Sequence, residues 1–154
     1  MKKLALALMG SLLLWGAYAQ DMTTLRKKNF NTNEGLAIKG YDPVAYFTDN
    51  KPVKGNKEYS TSYQGVAYYF ASAVHRDEFK KNPARYEPQY GGWCAYAMGS
   101  NGSKVEIDPE TFKIIDGKLF LFYNRFFNNT LKSWNKDETH LHTQADNNWQ
   151  KSYH

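Results

Sequence analysis

The sequence predicts a small α+β domain, and three features predict it. Asp116-Gly117 stands between the apolar runs Phe112 to Ile115 and Lys118 to Tyr123, the signature of a tight hairpin. Tyr59 to Tyr63 and Val66 to Phe70, rich in aromatic and β-branched residues, flank Gln64-Gly65 as a second hairpin. Toward the end, apolar residues fall at helical spacing: Phe127, Leu131 and Trp134, then Leu141, Ala145 and Trp149. Short strands followed by helices give a small antiparallel sheet of hairpins with short helices and a helical C-terminal segment.

Taken in order, the chain opens on an address. Lys2 and Lys3 precede an apolar stretch from Leu4 to Trp15, and Ala17-Tyr18-Ala19 follows. That is the pattern of a secretory signal peptide, so residues 1–19 are expected to be cleaved and the protein to be exported, periplasmic or secreted. The run falls short of the roughly 20 residues a membrane span needs, so no span is expected after cleavage. Residues 20–34 read as a polar leader, and residues 35–154 as one domain. Pro43 fixes its own φ and pushes Asp42 out of the helical region, so Gly40 to Phe47 reads as a turn entering a short strand at Val44. Asp49-Asn50-Lys51-Pro52 is a loop. Ser72 has the chemistry of an N-cap for a helix that Pro83 stops, with Val74 and Phe79 facing inward. Tyr86 to Gly92 is an irregular aromatic loop that delivers Trp93 to Met98, and Gly99 to Ser103 is a flexible turn. On the second strand of the Asp116-Gly117 hairpin, Phe120 and Phe122 lie on one face and Leu119 and Leu121 on the other. Both faces are apolar, so that strand should be covered on both sides. Asn135 to Asp137 separates the two C-terminal helices.

Composition narrows the function classes. With 154 residues, 42% hydrophobic and 16% aromatic, the chain can build a core of its own and is no disordered segment. The single cysteine, Cys94, excludes an intramolecular disulfide and any multi-cysteine zinc or iron–sulfur centre within one chain. The formal charge is +5, and +3 without Lys2 and Lys3. That is ordinary solubility charge, and no nucleic-acid partner is expected. There is no G-x-G-x-x-G, P-loop, H-E-x-x-H or G-x-S-x-G pattern.

Three side chains could carry chemistry. Cys94 lies between Gly91-Gly92 and a run of small residues, and its thiolate would be a soft ligand. Met98 follows four residues later, so on a helix its thioether shares a face with that thiolate. His75 could ligate a metal or act as a base beside Cys94. Asp42 sits in a turn, where closing its own backbone is role enough. His140 and His142 read as surface residues.

Several pieces together resemble the exported, single-domain branch of the YHS-domain proteins. They are Gly40-Tyr41-Asp42-Pro43-Val44-Ala45-Tyr46-Phe47, Tyr68-Tyr69-Phe70-Ala71-Ser72, Asn82-Pro83, Pro88-Gln89-Tyr90-Gly91-Gly92-Trp93-Cys94-Ala95, Asp108-Pro109 and Asp116-Gly117-Lys118-Leu119. The resemblance implies a small α+β domain that binds metal, most often copper. Relatives with a two-cysteine site carry one cysteine after Asp-Pro-Val and another around Tyr-Phe-Cys. Here Ala45 and Ala71 stand at those places. His75 lies near where a further cysteine often stands, and Cys94 is the cysteine that the exported branch keeps. The reading is therefore a non-catalytic, copper-handling module of the cell envelope, with Cys94, His75 and Met98 as metal ligands. Its cofactor would be Cu(I) or another soft transition metal, and an envelope protein could be its partner. Two alternatives stand beside it: a metal-free module that binds a protein or apolar ligand through its aromatic surface, and a thiol enzyme using Cys94 and His75.

Overall fold

Residues 21–153 are described by the computed structural model, so the expected signal peptide lies outside the described residues. The segment read as a polar leader is helical over 21–29 (α1). A polar stretch joins a packed fold here because its polar groups find partners indoors. Arg26 and Asn29 are buried. The Arg26 guanidinium lies 4.2 Å from the centre of the Phe30 ring and donates to Glu87. Asn29 Oδ1 accepts from Lys104 Nζ at 2.7 Å.

Four strands follow: β1 (Thr32–Asn33), β2 (Leu36–Ala37), β3 (Asn56–Tyr63) and β4 (Val66–Phe70). They form one sheet in the order β1-β2-β4-β3, antiparallel except where β2 meets β4. The β3–β4 hairpin turns at Gln64-Gly65, as expected, with both residues at positive φ. Val66, Tyr68 and Phe70 alternate into the core.

The expected strand at Val44 is instead a helix, α2 (Ala45–Thr48). The Asp42 carboxylate decides this: its Oδ1 accepts from the backbone N–H of Val44 at 2.8 Å and of Ala45 at 3.3 Å. Asp before Pro therefore caps a helix here, and Pro43 fits that entry because it has no N–H to lose.

Helix α3 (Ala73–Lys81) starts at Ser72, whose Oγ accepts from His75 N at 3.2 Å. Phe79 is fully buried as expected, but Val74 is 74% exposed. Five residues along a helix is about 140° around it, so the two cannot share a face. α4 (Pro83–Tyr86) leads to a left-handed turn in which Tyr90, Gly91 and Gly92 all have positive φ. α5 (Ala95–Asn101) runs through most of the expected flexible turn and stops at Gly102, φ +75°. Gly99 is inside it because the backbone at Leu141 crosses there: a Cβ would stand 2.4 Å from the Leu141 carbonyl oxygen.

β5 (Asp108–Ile115) and β6 (Lys118–Phe122) form the expected hairpin around Asp116-Gly117. Leu119 and Leu121 pack with Tyr46, Phe70, Phe79 and Cys94, while Phe120 and Phe122 pack with Met98, Trp134 and Ala145. Strand β6 is thus covered on both faces and divides two cores. A small hairpin, β7 (Asn124–Arg125) and β8 (Asn128–Asn129), precedes α6 (Thr130–Trp134) and α7 (Glu138–Tyr153). Leu141, Ala145 and Trp149 face inward on α7 as their spacing predicts. Phe127 does not join Leu131 and Trp134 on a helical face. Asn129 Oδ1 caps α6 by accepting from Leu131 N at 3.0 Å, which leaves Phe127 outside the helix, in the turn between β7 and β8. Mixed helices and small sheets make an α+β fold. No described helix is long and apolar enough to cross a membrane.

Candidate functional site

Asp42 is the hub of one corner of the fold. It is fully buried, and both carboxylate oxygens are occupied. While Oδ1 caps α2, Oδ2 accepts from Ala71 N at 2.8 Å and from His75 Nδ1 at 2.7 Å. Its own N–H donates to the Val53 carbonyl. One side chain thus ties the first turn of α2 to the end of β4 and the start of α3. Beneath it, burial pushes the Tyr46 phenol far above its usual range, and the hydroxyl donates to the Pro109 carbonyl at 2.8 Å.

This geometry sets the chemistry of His75. With Nδ1–H donating to a carboxylate, the neutral imidazole carries its lone pair on Nε2. The side chain is 18% exposed, against 0% for Asp42. Thr48 Oγ1 stands 3.5 Å from Nε2, but that hydroxyl has one proton and a nearer acceptor in Asp49 Oδ1 at 2.9 Å. The result is an imidazole oriented from behind by a buried carboxylate, its side chain partly exposed and its Nε2 facing the Thr48 hydroxyl at 3.5 Å.

Cys94 occupies a different corner. It is fully buried at the start of α5. Tyr123 N donates to its sulfur at 3.3 Å, and Thr130 Oγ1 stands 3.4 Å away. The Thr130 hydroxyl spends its proton on the Tyr123 carbonyl at 2.8 Å, so the thiol donates to Thr130. A cleft of about 420 Å³, lined also by Tyr96, Asn101 and Tyr123, lies outside. Cys94 contributes to its floor, yet no part of the residue is accessible to water.

Met98 N donates to the Cys94 carbonyl one turn on, at 3.0 Å, as the spacing predicts. Its side chain, however, is fully buried in the core on the Phe120 and Phe122 side of β6, whereas Cys94 packs on the Leu119 and Leu121 side. His75 shares no hydrogen-bond partner with either. Among the described residues, no group of three or more His, Cys, Asp and Glu side chains could hold a metal ion. His140 is exposed, and His142 packs its ring edge against Phe120 at 5.0 Å between centroids.

Residues 44–90 match the family model of the YHS domain. The matched stretch is 47 of the 154 residues and is consistent with a YHS-domain protein. The YHS domains are a metal-associated family. Nothing among curated proteins or solved structures matches the chain. The matched stretch of the YHS domain contains Ala45, Ala71 and His75, whereas Cys94 and Met98 lie beyond it. Ala45 and Ala71, the positions at which the resemblance implies cysteines in two-cysteine relatives, both donate their backbone N–H to Asp42. Both positions and His75 therefore meet at one carboxylate. Sequence reasoning gave Asp42 only a turn-closing role. Its reach to His75, 33 residues away, leaves no local pattern; the Asp-Pro helix entry was the available signal.

Proposed function

We propose that this YHS domain is an exported, non-catalytic module that binds a copper ion at His75. The supporting observation is the Asp42–His75 pair, an imidazole held in one tautomer at the point where Ala45 and Ala71 also converge. A carboxylate behind a ligating imidazole fixes the ring and raises its basicity as a donor. Cys94 and Met98 pack into different cores and neither shares a hydrogen-bond partner with His75, so the reading moves from the soft, Cu(I)-selective set expected from the sequence to the imidazole. Imidazole takes Cu(II) ahead of Zn(II) by the Irving–Williams order. One protein donor leaves coordination positions open, which suits handing an ion to a partner more than storing it. The address at Leu4 to Ala19 supports export. The sealed Cys94 thiol speaks against a thiol enzyme, which needs an accessible, activated sulfur.

The test is Cu(II) and Zn(II) titration of the wild type, His75→Ala and Cys94→Ala. His75→Ala should lose at least about tenfold in affinity, the size expected when a ligand or its orienting partner is removed. Cys94→Ala should bind as the wild type does. The second reading is the metal-free interaction module. Titrations that are identical and weak for all three proteins would establish that reading instead.

A further inference from the structure

The turn between β7 and β8 breaks two rules at once. Arg125 pairs with Asn128, which leaves Phe126 and Phe127 as a two-residue loop. Both have positive φ, 52° and 64°. Such a loop normally takes Asn-Gly or Gly-Gly, because a side-chain-bearing residue pays roughly 1–2 kcal/mol in the left-handed region. Both rings also stand in water: Phe126 is 88% exposed and Phe127 111%. Neither packing nor backbone preference within the chain accounts for two adjacent phenylalanines here. A strained, outward-pointing apolar tip is instead what an external apolar phase would select.

The stretch of chain that carries the tip is basic, which bears on the nature of that phase. Between Asp116 and Asp137 the sequence contains no acidic residue, while Arg125, Lys132 and Lys136 are all exposed. The acids on β5 keep their charge but lie on the neighbouring strand and not on the tip: Asp108 accepts from Thr111 and from Glu110 N, and Glu110 accepts from Tyr41. Aromatic rings flanked by basic side chains match a lipid interface with anionic headgroups, the rings among the acyl-chain ends and the cations at the phosphates. We propose that the Phe126–Phe127 tip inserts into the surface of an anionic bilayer and holds the domain there peripherally, without a span.

The test reads the tip itself, since the apolar Leu4 to Trp15 segment of the full chain partitions on its own account. An environment-sensitive fluorophore is placed on Asn128→Cys in the full chain; the buried Cys94 thiol stays unlabelled. The expected result is a blue shift with vesicles of phosphatidylcholine and phosphatidylglycerol, lost in Phe126→Ser/Phe127→Ser. The same dye on Lys118→Cys, in the β5–β6 turn, should remain in water. Both phenylalanines are exposed, so the double variant should melt where the wild type does. No shift, or a shift indifferent to the two phenylalanines, would overturn the proposal. An equal shift on phosphatidylcholine alone would overturn the anionic specificity. A blue shift without vesicles, accompanied by dimerisation that the double variant abolishes, would assign the tip to a second copy of the chain instead.

Discussion

Cys94 and His75 reverse the order of importance that their residue types suggest. Cys94 is the stronger donor on paper, alone and placed in a run of small residues. In the fold its sulfur links the start of α5 to Tyr123 and Thr130 and meets no water. His75, the weaker donor, has a buried carboxylate behind it and an outer nitrogen near the surface. Ligand strength in a sequence says what a side chain could bind. The partner at its back, and the solvent at its front, decide whether it does.

The largest effect that can break this contrast is at Asp42. Asp42→Ala removes the acceptor of three backbone N–H groups and of His75 at once. Each orphaned buried donor costs about 1–3 kcal/mol, so a loss of about 3 kcal/mol or more is expected in chemical denaturation. A loss below about 1 kcal/mol would mean that Asp42 does not organise this corner. Next in size is a gain. Ala45→Cys/Ala71→Cys should bring two thiolates to the same place and tighten metal binding by about 100-fold, some 2.8 kcal/mol, with Cu(I) and Zn(II) profiting most. No gain would show that Ala45, Ala71 and His75 do not face a common ion.

Cys94→Ala should cost about 1–2 kcal/mol of stability through a small cavity and the unanswered Tyr123 N–H, and leave metal affinity unchanged. Native protein should resist thiol reagents that label the unfolded chain at once. Rapid native labelling would return Cys94 to the list of accessible donors. The smallest effect tests a site unrelated to either corner. Lys113, and after it Trp134, hold the Glu138 carboxyl below its usual range. A depressed carboxylate lends stability above its unfolded value of 4.5 and loses it as pH falls through the folded value. Wild type should therefore lose about 0.5 kcal/mol more than Glu138→Gln on acidification below about pH 4.5, an amount limited by the exposure of the pair. An equal acid response of the two proteins would remove that ion pair from the stability of the α6–α7 junction.

Much of the fold was legible because its signals are local. Asp116-Gly117 and Gln64-Gly65 mark their hairpins, Ser72 its helix, and the alternation along Lys118 to Phe122 a strand with two apolar faces. The misreadings have two causes, side-chain caps and long-range partners. Pro43 alone predicts a turn entering a strand, whereas the Asp42 carboxylate turns the following residues into a helix. Phe127 continued an apolar spacing that a cap at Asn129 cuts off. The 21–29 segment lacks an apolar stripe, and becomes helical core through long-range partners such as Glu87. Of the candidate ligands, His75 could be named from sequence, but its orientation by Asp42 could not. That Cys94 and Met98 pack into different cores is equally a property of the tertiary fold.

The most direct test of the contrast is paramagnetic broadening of NMR signals by substoichiometric Cu(II). The account predicts that the ring signals of His75 and the amides of Thr48 and Ala71 broaden first, while the Met98 methyl and the Tyr123 and Thr130 amides around Cys94 stay sharp. Early broadening of the Met98 methyl and the Tyr123 amide, with His75 unaffected, would contradict it and place the ion at the cysteine.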